Sequence, residues 1–305
     1  MHHLRDSLLG SLPRDASSIG DHDRRDQEST RQSIARGEFK EVRGVAFSNR
    51  TWIVTSRYCD IGDGVDSLEG SIHSLWYMYY ELGRNISSES PEHEAGDMTE
   101  FWLNHGASMS GTHRLNFATF LAKLASTRVA KDRLCQIALL IFRNLFESPQ
   151  ALRSGEESDE ENQNRGIKQL EIFHLLPAAI AWLNIAGDNL ILLSDVYWND
   201  CPSNIGRGGE GFLESDLGQR SPTGFSPWRY MFWLKRLHEI QEEAKQANEN
   251  ALEELATDGI EYMVDKVKDR NAEVLRAYKN GGDALHQDKY LVCLKPLALG
   301  EESES

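Results

Sequence analysis

Cysteine is scarce in this chain. Its 305 residues hold four, Cys59, Cys135, Cys201 and Cys293, far apart and with no C-x-x-C pair. That spacing argues against a zinc ribbon or a disulfide framework, and the four read as reduced thiols of an intracellular (cytoplasmic or nuclear) protein. Positive charge is also short. Lys and Arg number 33 against 48 Asp and Glu, a net charge of −15. So acidic a surface disfavours nucleic acid and anionic membrane, both of which reward cations. No apolar run opens the chain (MHHLRDSLLGSLPRD), so a secretory signal is not expected there. Hydrophobic residues make up 40%, enough for a core but low enough to expect disordered stretches. These are placed at 1–38, at 299–305 and in the acidic insert 150–166.

What the chain does have is helical periodicity, and the expected fold is all-α: a single irregular helical domain over 39–298 with one long C-terminal helix. The densest aromatic stretch, 224–240 (GFSPWRYMFWLKRLHEI), anchors it. Ser226 is placed to cap a helix that opens on Pro227, whose missing N–H is no loss in a first turn. Tyr230, Trp233, Leu237, Ile240, Ala244, Ala247 and Ala251 then recur at spacings of three and four, the seam of a helix packed on partners. Gly259 marks an expected break or bend, since glycine weakens a helix interior by about 1 kcal/mol. Upstream, Leu68, Ile72, Leu75, Trp76, Tyr79 and Leu82 stripe a helix over 67–82. Residues 134–146 (LCQIALLIFRNLF) are apolar almost all round and should be deeply buried. Pro177 and Gly187-Asp188-Asn189 are expected to divide 167–195 into shorter helices. Residues 39–58 carry the one strong strand signal, read as either a small β-hairpin or irregular chain lying across the helices. Residues 199–224, rich in Gly, Pro and Ser, read as a flexible connector.

The run Phe225-Ser226-Pro227-Trp228-Arg229-Tyr230, followed by Phe232-Trp233-Leu234-Lys235-Arg236-Leu237 and Ile240, resembles the C-terminal signature of a large family of fungal proteins, domain of unknown function thirty-six thirty-two. Ser74-Leu75-Trp76 and Leu175-Leu176-Pro177 through Trp182 echo its earlier helices. The resemblance implies an intracellular, mostly helical protein and brings no catalytic residues.

The chemistry-bearing motifs are weak. Asp60–Asp66 lacks the alternating carboxylates of a calcium loop. Gly206-Arg-Gly-Gly-Glu-Gly211 has no strand before it and no Lys after it, as a phosphate cradle requires. Glu171-x-x-His174 places a carboxylate and an imidazole on one helix face without the second copy that a di-iron bundle needs. No metal site or cofactor is expected. Two functional readings follow. The first is a non-enzymatic interaction module, forming a homodimer or binding a protein partner through a seam at Ala244, Ala247, Ala251 and Leu255. The alternative is a small-molecule binder or enzyme with a pocket between helices 67–82 and 227–256, lined by His73, Tyr77, Tyr80, Trp233 and Arg236.

Overall fold

The computed structural model describes residues 21–45, 51–57, 98–126, 131–148, 160–162, 164–166, 169–270 and 272–299, with residues 74, 77, 78, 81 and 85. It divides into two compact units, Met1–Gly96 and Asp97–Ser305. The fold is all-α: among the described residues no strand forms, and the one β-type contact is an isolated Arg207–Thr223 bridge.

The first unit contains α1 (Asp21–Ala35), α2 (Phe39–Gly44) and α3 (Thr51–Ser56). Two expectations are corrected here. Part of the segment expected to be disordered, 1–38, is helix α1. The strand candidate at 39–58 is helical wherever it is described, because its apolar residues serve a helix contact: Ile34 and Val42 are buried together with Phe39 packed on them. Helix α1 stops in a Schellman motif. Gly37 takes φ 77°, the Gly37 amide reaches Ile34 and the Glu38 amide reaches Ser33, a geometry that suits a residue with no Cβ.

The second unit is built around α7 (Ile172–Asp195), which packs against α5 (Gly111–Ser126), α6 (Lys131–Phe146) and the later helix α12 (Asn250–Lys268). A further helix, α4 (Met98–His105), lies against α6. Helix α7 is long and apolar enough to cross a membrane by length and composition, yet 67% of its most apolar window is buried inside the fold. Neither expected break occurs in it. Glu171 and His174 close its N-terminus as a capping box, side chain to backbone in both directions, so the E-x-x-H step is a cap. Pro177 stays inside the helix. Gly187 lets the Lys266 side chain of α12 lie close, and Asn189 donates to the Ala125 carbonyl at the end of α5 at 2.7 Å. Burial on three sides offsets the weak propensity of these residues. As expected, α6 is deeply enclosed, with Ile137 to Phe142 at 1% exposure or less.

The segment 199–224 is an ordered wrap. It holds α8 (Ser203–Gly206), α9 (Glu210–Leu213) and α10 (Asp216–Arg220). Residues 160–166 of the acidic insert are likewise tied down where described: the Asn162 amide bonds the Ser108 carbonyl, and Arg165 donates to the carbonyls of Ala107 and Met109.

The expected long C-terminal helix is two helices, α11 (Pro227–Ala247) and α12. The break falls at Asn248, not Gly259. Asn248 adopts the left-handed conformation (φ 59°, ψ 31°), and the Glu249 amide returns to the Ala244 carbonyl at 2.9 Å. Asparagine tolerates this geometry better than other residues with a Cβ. The two helices then pack on each other as a hairpin. Gly259 lies within that packing, where a Cβ would come within 2.5 Å of Ile180 and 3.2 Å of Leu237. It is a contact point, not a breaker. Three further helices, α13 (Glu273–Lys279), α14 (Asp283–His286) and α15 (Leu294–Leu299), close the unit.

Candidate functional site

Among the described residues of the second unit, a buried polar arrangement lies where α6 ends and α11 begins. Glu147 follows the last residue of α6, and Arg229 sits in the first turn of α11. Both side chains are fully buried and bonded in two places: Nε to Oε1 at 2.6 Å and Nη2 to Oε2 at 3.0 Å. Each charge stands at the unfavourable end of its own helix, a carboxylate at a C-terminus and a guanidinium at an N-terminus. Each therefore depends on the other.

The surrounding groups complete the arrangement. The Trp233 indole N–H donates to Glu147 Oε1 at 2.7 Å and the Gly209 amide to Oε2 at 2.7 Å. Arg229 Nη1 donates to the carbonyls of Gly206 and Gly224, both at 2.7 Å. The Phe212 and Trp233 rings flank the guanidinium. Ser226 caps α11 as expected, its hydroxyl accepting from the Arg229 amide at 3.1 Å. A second arginine, Arg143, donates to the Asn204 carbonyl at 2.6 Å. Burial, then the neighbouring Arg229 charge, lowers its affinity for protons, and Glu147 opposes that. The wrap thus reaches the helices mostly through backbone groups. A Cβ at Gly209 would stand 2.8 Å from Glu147, so the glycine run permits close approach of chain to carboxylate. This clamp holds the wrap to the helices, and its charges are spent on each other and on backbone groups.

The residues expected to form a pocket fall in both units. His73 and Tyr80 lie outside the described residues. Tyr77, in the first unit, accepts a short hydrogen bond from Arg31, whose guanidinium lies over the ring. Trp233 is enclosed, packed edge-on against Phe142 and Phe225. Arg236 lies nearer the surface and pairs with Glu239. The seam residues are also separated. Ala244 is buried, Ala247 and Ala251 are exposed on either side of the Asn248 turn, and Leu255 is half-buried. Among the described residues no cluster of His, Cys, Asp and Glu is arranged to hold a metal ion. Glu147 escaped sequence reading because it lies 82 residues from Arg229 in a stretch with no motif. The Arg-Trp helix start was the one visible half of the clamp.

The architecture is thus a bundle of helices closed by a glycine-rich wrap over a buried ion pair. The chain belongs to the family described as Protein of unknown function (DUF3632), whose model matches residues 69–237. That match contains both halves of the clamp. The chain is also similar to "Oxopyrrolidines biosynthesis cluster protein G" of Penicillium oxalicum (strain 114-2 / CGMCC 5302), at 60% identity over all of this chain and 97% of the relative. No solved structure matches it significantly.

Proposed function

We propose that this chain serves small-molecule biosynthesis of the oxopyrrolidine type as a non-catalytic interaction protein, working inside the cell. The biosynthetic part rests on the full-length similarity to the Penicillium protein. The non-catalytic part is carried by the clamp. Among the described residues of the family segment, the Glu147–Arg229 constellation is fully enclosed and spends its charges on holding the fold together. The partner surface in this reading is the tip of the α11–α12 hairpin, where Ala247 and Ala251 are exposed and small enough for another backbone to come close.

The test is a double substitution, Ala247→Arg with Ala251→Arg, in the producing fungus. Unchanged protein level and melting temperature with loss of oxopyrrolidine product, and loss of a cross-linked partner by mass spectrometry, is the expected result. Full product from the variant would overturn the assignment of the surface. Full product from a deletion strain would overturn the biosynthetic role.

A further inference from the structure

At the end of α11 opposite Ala247 lies a surface of a different kind. Val196 and Tyr197, the two residues that follow α7, are 67% and 46% exposed. The chain turns there in a Schellman motif, with the Trp198 amide returning to the Leu193 carbonyl at 3.0 Å. The left-handed residue of that motif is Tyr197, at φ 51°. Glycine ordinarily fills such a position, and a bulky side chain is strained in it. Strain held at a half-exposed aromatic side chain points to a use for the side that faces outward.

Hydrogen bonds gather three further elements around this turn. The Trp198 carbonyl accepts from the Phe225 amide at 2.8 Å, which brings the start of α11 alongside. The Trp228 indole N–H then donates to the Tyr197 hydroxyl. Arg220, at the end of α10, lies over Trp228 with its guanidinium 4.5 Å from the ring centre, and donates to the Gly281 carbonyl at 2.9 Å. On the other side, Asp195 accepts from the Glu273 amide at 2.9 Å and so caps α13, while Glu273 pairs with the exposed Arg276. Those two carboxylates are spent within the face. Arg220 is not: among the described residues no carboxylate pairs with it, and Gly281 takes up one of its nitrogens.

We propose that the face formed by Val196, Tyr197, Trp228 and Arg220 docks an acidic peptide segment of a partner protein. One carboxylate of the segment sits on Arg220, and a neighbouring apolar side chain covers Val196 and Tyr197. A guanidinium held flat against an indole has its donor fork oriented before a ligand arrives, which suits a planar carboxylate. Tyrosine, tryptophan and arginine are also the side chains that carry most of the binding energy at protein interfaces. A second copy is a poorer occupant, because a two-fold axis through this face would set Arg220 against Arg220. The −15 charge of the chain does not forbid an acidic segment, since screening limits each distant carboxylate to about 8 Å at physiological salt. The face is independent of the α11–α12 tip proposed above, and substitutions at Ala247 and Ala251 should leave peptide binding unchanged.

The experiment uses the full chain and a library of random peptides displayed on phage, with the selected sequences synthesised and titrated by fluorescence anisotropy. The expected result is enrichment of peptides that join Asp or Glu to an aromatic or branched apolar residue. Val196→Glu and Arg220→Gln should each bind them at least tenfold more weakly than the parent. Val196 is exposed, so Val196→Glu should melt as the parent does, and it tests the face even if Arg220→Gln disturbs α10. Val292, 53% exposed near the Tyr290–Glu242 contact, supplies the control, and Val292→Glu should bind as the parent does. Added salt should weaken binding to the parent more than to Arg220→Gln. No enrichment, enrichment of peptides without acidic residues, or affinity that survives Val196→Glu overturns the proposal. A parent that dimerises in sedimentation, with the dimer lost in Val196→Glu, gives the face to a second copy and overturns it as well.

Discussion

Glu147 and Arg229 illustrate how a buried ion pair constrains a protein without adding much net stability. Removing one partner leaves an unpaired charge in a fully buried site, a loss of about 3–5 kcal/mol, whereas replacing both with well-packed apolar groups can be nearly neutral. Arg229→Met and Glu147→Leu should each lower stability by several kcal/mol, and the double variant by much less than their sum. Urea denaturation followed by tryptophan fluorescence measures this. His238 contributes at the same scale. Burial holds its folded-state value below the ordinary one, as it does for His105. Below about pH 6.5 the unfolded chain therefore binds protons that the folded chain refuses. Stability from these residues is complete above that pH and falls as pH drops toward the folded-state values. His238→Asn should flatten this slope between pH 7.5 and 5.5. None of this was legible locally: Glu147 sits in Phe146-Glu147-Ser148-Pro149, which reads as a helix end, and Cys293, whose sulfur lies against the His238 ring, is 55 residues away from it.

At the scale of elements, sequence periodicity located the long core helices α6, α7 and α11 but missed the helices α1 to α3 and α8 to α10, in segments read as disordered, strand or irregular, and connector. Within the long helices the errors concern where they stop. The seam from Tyr230 to Ala251 keeps its spacing through a reversal of the chain, because alanine suits a helix, a turn flank and a close contact alike. Pattern alone cannot see the left-handed residue at Asn248. Glycine misled in the opposite direction, since Gly259 and Gly187 are small because a neighbouring helix lies against them. Two substitutions separate these roles. Asn248→Gly should be neutral or stabilising, while Asn248→Val should destabilise by about 1 kcal/mol or more, since a β-branched residue resists positive φ. Gly259→Ala, favourable by helix propensity, should instead destabilise by roughly 1–3 kcal/mol through overpacking against Ile180. Thermal melts of the three variants decide both points.

For the whole molecule, the dominant fact is a net charge of −15. Self-repulsion among surface carboxylates opposes compactness, and salt screens it. Raising sodium chloride from about 20 to 300 mM should raise the melting temperature of the parent, because the Debye length contracts well below the width of the protein. The loss caused by Arg229→Met should barely change with salt, since that pair is out of reach of the solvent ions. The clamp also has a kinetic side. It joins residues 82 apart in the chain, and the wrap it secures contacts the helices chiefly through backbone groups that have no place to bond until α6 and α11 have met. Closing so large a loop is slow relative to forming its helices. In refolding, residues 199–224 should therefore be the last stretch to gain protection from a protease, and a chain caught before that step would be cut there while its helices were already formed.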